Sequence, residues 1–264
     1  MSYADVNGVR LFYREAGEGP VLLLIHGSGP DSRGWGQAFD DLAVDHRVIA
    51  YDRRGYGESG DQPLTDWHGH GEDAAELLRV LDAAPASVVG WSGGGLAALD
   101  LTVNHPDLVR SLVLAETALY GKRKPTLSLA TTFVRSRIQR ARGNDRAASD
   151  TFLRWVMGER GAGSTWDRPE YPGDRREALL GNARGTWNDI DSGDGSHLSP
   201  EQVRAIGCPI TLVRGDLSQP WFVRTLEGLA ELLPSASVRV IEGTNHAFTF
   251  HKPLEFAQVI REAA

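Results

Sequence analysis

The sequence predicts an α/β protein, a mostly parallel doubly wound sheet carrying a helical cap insertion. Three observations carry that expectation. Short apolar runs without alternation, such as Val21-Leu22-Leu23-Leu24-Ile25, read as strands buried on both faces. Helical patterns separate them at the pitch of right-handed βαβ units. The rhythm then stops at Thr117 and resumes only after Pro200.

Taken in order, Val6 to Glu15 forms a strand pair around Asn7-Gly8, a hairpin signal. The run ending at Ile25 leads into His26-Gly27-Ser28-Gly29-Pro30, and Trp35 to Val44 reads as a helix. A second buried strand, Arg47 to Tyr51, precedes the glycine-rich stretch Asp52 to Gly60. Gly55 to Gly60 fits Gly-x-Gly-x-x-Gly, yet no helix opens there and the strand before it is not the first. It reads as a structured loop. Ala74 to Ala83 has helical spacing, Ser87 to Trp91 is a strand, and a helix from Gly94 to about Asn104 follows. Val109 to Ala115 is another apolar strand, ending at Glu116.

Residues 117–200 form an insertion too long for a plain loop in a compact domain. It reads as a helical cap, with residues 1–116 and 201–264 as the two parts of the core. Leu127, Ala130, Val134 and Ile138 share one helical face, Phe152, Trp155 and Val156 cluster on another segment, and Gly161–Pro172 and Asp189–Pro200 look like loops. The βα rhythm returns with a strand at Pro209 to Val213, a helix at Trp221 to Leu233, a strand at Val238 to Ile241 and a last helix from Pro253.

Composition narrows the partners. The 264 residues carry a net charge of −7, which disfavours nucleic acid. Cys208 is the one cysteine, so neither an internal disulfide nor a cysteine-based zinc site is possible. The start lacks a basic segment followed by an apolar one, and no apolar run approaches membrane-spanning length. The expectation is a cytoplasmic monomer or homodimer with a small-molecule substrate and no membrane partner.

The chemistry centres on Gly90-Trp91-Ser92-Gly93-Gly94. Gly-x-Ser-x-Gly between an apolar strand and a helix is a nucleophile elbow, which lifts the Ser92 hydroxyl out of the fold. With it stand the His26-Gly27 loop, the Asp52…Gly55-Tyr56-Gly57-Glu58-Ser59 loop, the insertion and a late Gly243-x-x-His246. In this order the whole chain resembles the α/β-hydrolase superfamily. The resemblance implies Ser92 as nucleophile and His246, in the loop after the last strand, as its base. It implies main-chain N–H groups of Gly93 and Ser28 as the oxyanion hole. His26 then shapes the loop at the substrate site, and Trp91 lines the pocket floor or packs under it.

The third member of the triad is open. The family's usual Gly-x-x-Asp turn here reads Gly215-Asp216-Leu217-Ser218, with serine in place of the acid. Glu116, at a strand end that some family members use, is preferred to Asp216. An acid from Asp189–Asp191 folding back is the remaining option. The basic run between Lys122 and Arg160, including Arg135, Arg137, Arg140 and Arg142, suits a solvated helix face better than an anionic substrate. Tyr120, Phe133, Trp155, Trp166 and Trp187 offer walls for an apolar acyl pocket or simply the cap's core. His68 and His70 read as a solvated turn, without a carboxylate or third histidine nearby to make a metal site.

The implied activity is cofactor-independent hydrolysis of a carboxylic ester or lactone through an acyl-enzyme, with no metal. A carbon–carbon bond hydrolase of ring-cleavage diketones is the enzymatic alternative, since His26 to Pro30 resembles the oxyanion loop of those enzymes. A receptor-like protein with negligible turnover is the alternative of another class.

Overall fold

The computed structural model describes residues 2–62, 64, 66–117, 124–160, 163–193 and 197–264. Its centre is an eight-stranded sheet of β1 (Ser2–Val6), β2 (Val9–Ala16), β3 (Val21–Ile25), β4 (Arg47–Tyr51), β5 (Ala86–Trp91), β6 (Val109–Ala115), β7 (Ile210–Gly215) and β8 (Ser237–Ile241). The spatial order is β1-β2-β4-β3-β5-β6-β7-β8. β1 and β2 are joined by a hairpin at Asn7-Gly8, both at positive φ, and β2 runs antiparallel to β4. All the other pairings are parallel. The unbroken apolar runs become the inner strands, with every residue of β5 buried, because helices cover both faces there.

On one face lie α2 (His68–Val80), α3 (Gly93–Asn104) and α9 (Pro220–Leu232), whose Leu77, Leu99 and Leu229 join one core cluster. On the other lie α1 (Gln37–Leu42), α10 (Phe248–His251) and α11 (Pro253–Ala263), which supply Phe39, Phe248 and Phe256 to a second. The expected helix from Trp35 to Val44 is two pieces, a 3-10 turn at Ser32–Trp35 and then α1. Gly36, at φ 50°, separates them. The Gly55–Gly60 stretch is a loop that closes on β2 through a Gly60 N–H to Arg10 carbonyl bond of 2.9 Å. Among the described residues no helix opens until His68.

Between β6 and β7 the chain forms α4 (Leu127–Ala141), α5 (Asp145–Val156), α6 (Gly173–Gly181), α7 (Ala183–Asp191) and α8 (Pro200–Arg204). Leu153, Met157, Trp166, Tyr171, Leu179 and Leu180 make this insertion its own small core. Leu129 and Val156 pack with Trp221 and Phe222 of α9, which docks the insertion on the sheet domain. Two local expectations change. The stripe of Leu127, Val134 and Ile138 faces solvent, and Leu129, Thr132 and Ser136 are the buried side of α4. The segment from Asp189 is not all loop, since α7 runs through Asp191. Arg137 and Arg140 pair with Asp191, and Arg135 and Arg142 are exposed, so the basic run is a solvated, partly ion-paired face. Tyr120 and Lys122 lie outside the described residues.

Candidate active site

β5 ends at Trp91 and α3 begins at Gly93, so Ser92 alone makes the turn. Its backbone sits at φ 55° and ψ −121°, a strained region for a residue with a Cβ. The turn is possible because a Cβ on Gly94 would stand 2.2 Å from the Ile25 carbonyl oxygen. Glycine leaves that space empty. Ser92 is partly exposed, and its N–H donates to the Ala115 carbonyl at 2.9 Å, tying the elbow to the end of β6.

The loop after β3 presses against this turn. A Cβ on Gly27 would stand 2.8 Å from the Ser92 Cβ, so glycine is what lets the loop close on the serine. A Cβ on Gly93 would lie 3.3 Å from the Ser28 nitrogen, which puts the Ser28 main chain beside the first residue of α3. The first N–H groups of a helix have no partner within it and carry its positive end. An oxyanion seated above Ser92 would therefore find donors from α3 and from the loop.

His246 follows β8 by a short loop and is 4 % exposed. Its Nδ1 lies 2.7 Å from Glu116 Oε2. Phe222 stacks on the imidazole with ring centroids 4.2 Å apart, and Trp91 approaches at 5.8 Å. Asn245 anchors the loop to the insertion by donating to the Met157 carbonyl at 2.8 Å. Nδ1 donating to the carboxylate would leave Nε2 as the free lone pair.

Glu116 comes directly after β6, at φ 42°, fully buried. Its second oxygen accepts the Gly215 N–H at 2.9 Å and the Ser218 hydroxyl. The serine in the position of the family's usual acid thus orients the carboxylate that faces His246. Asp216 is exposed and accepts from the Thr244 N–H at 3.3 Å, away from the imidazole. Asp189 does fold back from the insertion, but onto the loop after β3 and not onto His246.

That second contact is a buried polar cluster that the sequence reading missed. Arg53 is fully buried and pairs with Asp189, Nη2 to Oδ2 at 2.7 Å. Tyr56 and Ser28 hydroxyls donate to the same Oδ2, each at 2.6 Å, and His70 Nε2 lies 3.3 Å from Oδ1. Burial opposes ionisation of Asp189, but the Arg53 charge and the His70 bond win and hold its carboxyl well below the usual range. Burial and Asp189 push the Tyr56 phenol up, and burial and Arg53 push His70 down. His70 is therefore a buried helix residue, not a solvated one. Local sequence carried no signal for it, since Arg53 stands between Asp52 and Arg54 in a stretch that looks like an ordinary charged loop.

His26 and Trp91 are both buried behind the site. His26 is fully buried, with Nε2 accepting the Arg53 N–H at 2.9 Å and Nδ1 facing the Gly27 carbonyl at 2.8 Å. Burial and the Arg53 charge push it down to about 3, so it is a neutral strut for the loop and reaches no substrate space. Trp91 is 6 % exposed and packs against Trp35 at 5.9 Å, supporting His246 from beneath.

Ser92 opens on a cavity of about 40 Å³ lined by Leu129, Phe133, Phe152, Trp155, Ile190 and Phe222, among others. Wider grooves of about 480 and 520 Å³ lie on the outer face of α4 and α5 and beside Arg175, away from Ser92. Phe133 and Trp155 thus border the space over the serine, whereas Trp166 and Trp187 are buried in the insertion. Among the described residues, His68, Glu72 and Asp100 bring ligand-type atoms within 4.8 Å of one another, and His197 Nε2 lies 2.6 Å from Asp100 Oδ2. Carboxylates and a third histidine do stand beside His68, contrary to the local spacing. Asp100 is buried, and the two imidazoles satisfy its oxygens.

With this geometry in hand, the family model of the alpha/beta hydrolase family matches residues 22–259. The chain belongs to the alpha/beta hydrolase family. In family terms, the eight-stranded sheet is the α/β-hydrolase fold. The enol-lactonase from Burkholderia xenovorans LB400 superposes with a TM-score of 0.81 at 22 % identity, over 99 % of this chain and 98 % of that one. The esterase RhEst1 from Rhodococcus sp. ECU1013 gives 0.79 at 25 % identity, over 98 % and 96 %. In sequence, the chain is 41 % identical over 106 residues to a pimeloyl-[acyl-carrier protein] methyl ester esterase of Vibrio atlanticus (strain LGP32), 39 % of this chain and 38 % of that one. The matched stretch spans less than half the length of such curated relatives. Among the described residues, no helix is long and apolar enough to cross a membrane.

Proposed function

We propose that this family member is a serine hydrolase of carboxylic esters with a compact apolar acyl group, working through an acyl-enzyme. The observation that carries the reading is the 2.7 Å bond from His246 Nδ1 to Glu116 Oε2, beside a strained serine at a strand-to-helix turn. A serine hydroxyl is a poor nucleophile until a base removes its proton, and a base needs its tautomer held. In this reading Ser92 Oγ attacks the ester carbonyl as His246 Nε2 takes the proton. The tetrahedral oxyanion accepts from the N–H groups of Gly93 and Ser28. Collapse expels the alkoxide, which takes the proton from His246, and leaves the acyl group on Ser92. Water, deprotonated by the same imidazole, then releases the acid and restores the serine.

Glu116 stabilises the imidazolium that forms in both halves, and Ser218 and the Gly215 N–H hold Glu116 in place. The chemistry uses no cofactor. The apolar lining over Ser92 supports an acyl group without charge, and the similarity to an esterase and a methyl ester esterase supports an ester bond.

The test is turnover of p-nitrophenyl esters of rising chain length by the wild type and by Ser92→Ala. Multiple turnovers that vanish in the variant, with a fluorophosphonate adduct on Ser92, are expected. Activity that survives Ser92→Ala sinks the mechanism. Labelling without ester turnover points to the carbon–carbon bond alternative, and neither labelling nor turnover to a binding protein.

A further inference from the structure

Asp189 belongs to α7 of the cap, yet among the described residues the partners of its carboxylate belong to the sheet domain. They are the Ser28 hydroxyl, the Tyr56 hydroxyl, the Arg53 guanidinium and the His70 imidazole. Arg53 passes the contact on. Its Nε donates to the His26 carbonyl at 3.0 Å and its Nη2 to the Gly27 carbonyl at 3.1 Å. The main chain of the loop after β3 and the side chain of Ser28 therefore hang on one carboxylate of the cap. Asn182, just ahead of α7, adds a bond of 2.9 Å to the Gly29 carbonyl. The next residue after Asp189 faces elsewhere: Ile190 borders the cavity that opens on Ser92.

We infer that Asp189 is a positioning residue that couples the acyl group in the cap pocket to the Ser28 oxyanion donor, so that acyl fit is expressed in kcat. The inference rests on the serine-hydrolase reading. The cavity is narrow, about 40 Å³, so an acyl chain seated in it bears on the side chains that line it, Ile190 among them. A helix moves as a body, and a displacement felt at Ile190 is felt at Asp189. Oxyanion donors work at about 2.7–3.1 Å, and a misplacement of about 1 Å costs on the order of 100-fold. Ser28 is tied to the helix that senses the acyl group, and its own N–H is the proposed donor. A buried ion pair kept only for stability would need the Arg53 contact but not the Ser28 bond.

Ser28→Ala cuts the direct bond from residue 28 to Asp189 while keeping the N–H of residue 28 and the Arg53–Asp189 pair. Kinetics over acetyl to octanoyl p-nitrophenyl esters, with sites counted by fluorophosphonate titration, reads the effect. In the wild type kcat should depend on chain length. In Ser28→Ala that dependence should flatten, and kcat for the best ester should fall about tenfold or more, a fraction of what losing an oxyanion donor costs. KM should change less than about twofold, and affinity for an alkyl boronic acid, which forms a tetrahedral adduct on serine, should fall with kcat/KM. Asp189→Asn added to Ser28→Ala should cost less than the sum of the two single effects, because the Ser28 bond is one of those that Asp189 makes.

A wild-type chain-length profile of kcat in Ser28→Ala, a loss confined to KM, or additive effects would each overturn the inference. Where Asp189→Asn does not fold because Arg53 has lost its counter-charge, Ser28→Ala alone decides. Absence of fluorophosphonate labelling in the wild type would instead mean that the serine-hydrolase reading has failed. Labelling with an unchanged profile removes only the coupling.

Discussion

At Ser218 the turn after β7 offers a hydroxyl where the family commonly places an acid, and Glu116 reaches the imidazole from the neighbouring strand end. The two positions touch, since the Ser218 hydroxyl donates to Glu116 Oε1 while Oε2 faces His246. The acid is therefore movable in principle. Glu116→Gln should lower kcat by about 100- to 10,000-fold, because the amide can offer the imidazole the wrong hydrogen-bond partner. Adding Ser218→Asp to Glu116→Ala should recover part of the loss, read as kcat/KM on a p-nitrophenyl ester relative to Glu116→Ala alone. No recovery would mean that the turn cannot aim a carboxylate at Nδ1. The serine and histidine of this site were legible because each sits in a local motif. The acid was legible only as a choice among Glu116, which was preferred, Asp216 and the Asp189–Asp191 stretch, because its partner lies 130 positions away along the chain.

Among the elements, α4 and α7 show how a helical pattern can mislead about which face is inside. The spacing of Leu127, Val134 and Ile138 is that of a buried stripe, yet these side chains are 82, 60 and 46 % exposed. The buried side is set by what α4 meets, namely α5 and the docking surface around Trp221 and Phe222. Val134→Lys should then change unfolding free energy by less than about 0.5 kcal/mol in urea titrations, as for an ordinary surface site. Leu129→Ala, at a side chain 2 % exposed, should cost about 2–5 kcal/mol and raise KM for longer acyl esters. A large loss at Val134 would mean that this stripe is covered in solution. In α7, Asp189 reads as a polar loop residue from sequence. It is buried because Arg53, brought from the other side of the chain, needs its charge.

For the whole molecule, the buried polar layer under the loop after β3 predicts how stability responds to acid. His26 is pushed down to about 3 in the folded protein against about 6.5 for a free imidazole, and His70 is lowered as well. Below pH 6.5 the unfolded chain binds protons that the folded chain refuses, so stability falls as pH drops. Each such group contributes about 1.4 kcal/mol per pH unit until its folded pKa is reached. Asp189, held low by Arg53 despite its burial, acts in the same direction but only below the ordinary carboxylate range. Urea midpoints should fall steadily from pH 6.5 to 4, and His26→Asn should flatten the slope. A midpoint independent of pH over that range would show that these imidazoles are not buried neutral.

The residues alone determined the parallel sheet and the glycine-flanked strand-to-helix turn at Ser92. Each rests on neighbours within a few positions, where periodicity and glycine chemistry act directly. The partner of His246, the outward face of α4 and the Arg53–Asp189 layer were decided only by tertiary structure. A buried charge or an apolar face gains its free energy from whatever the fold sets against it, and nothing in local spacing names that partner.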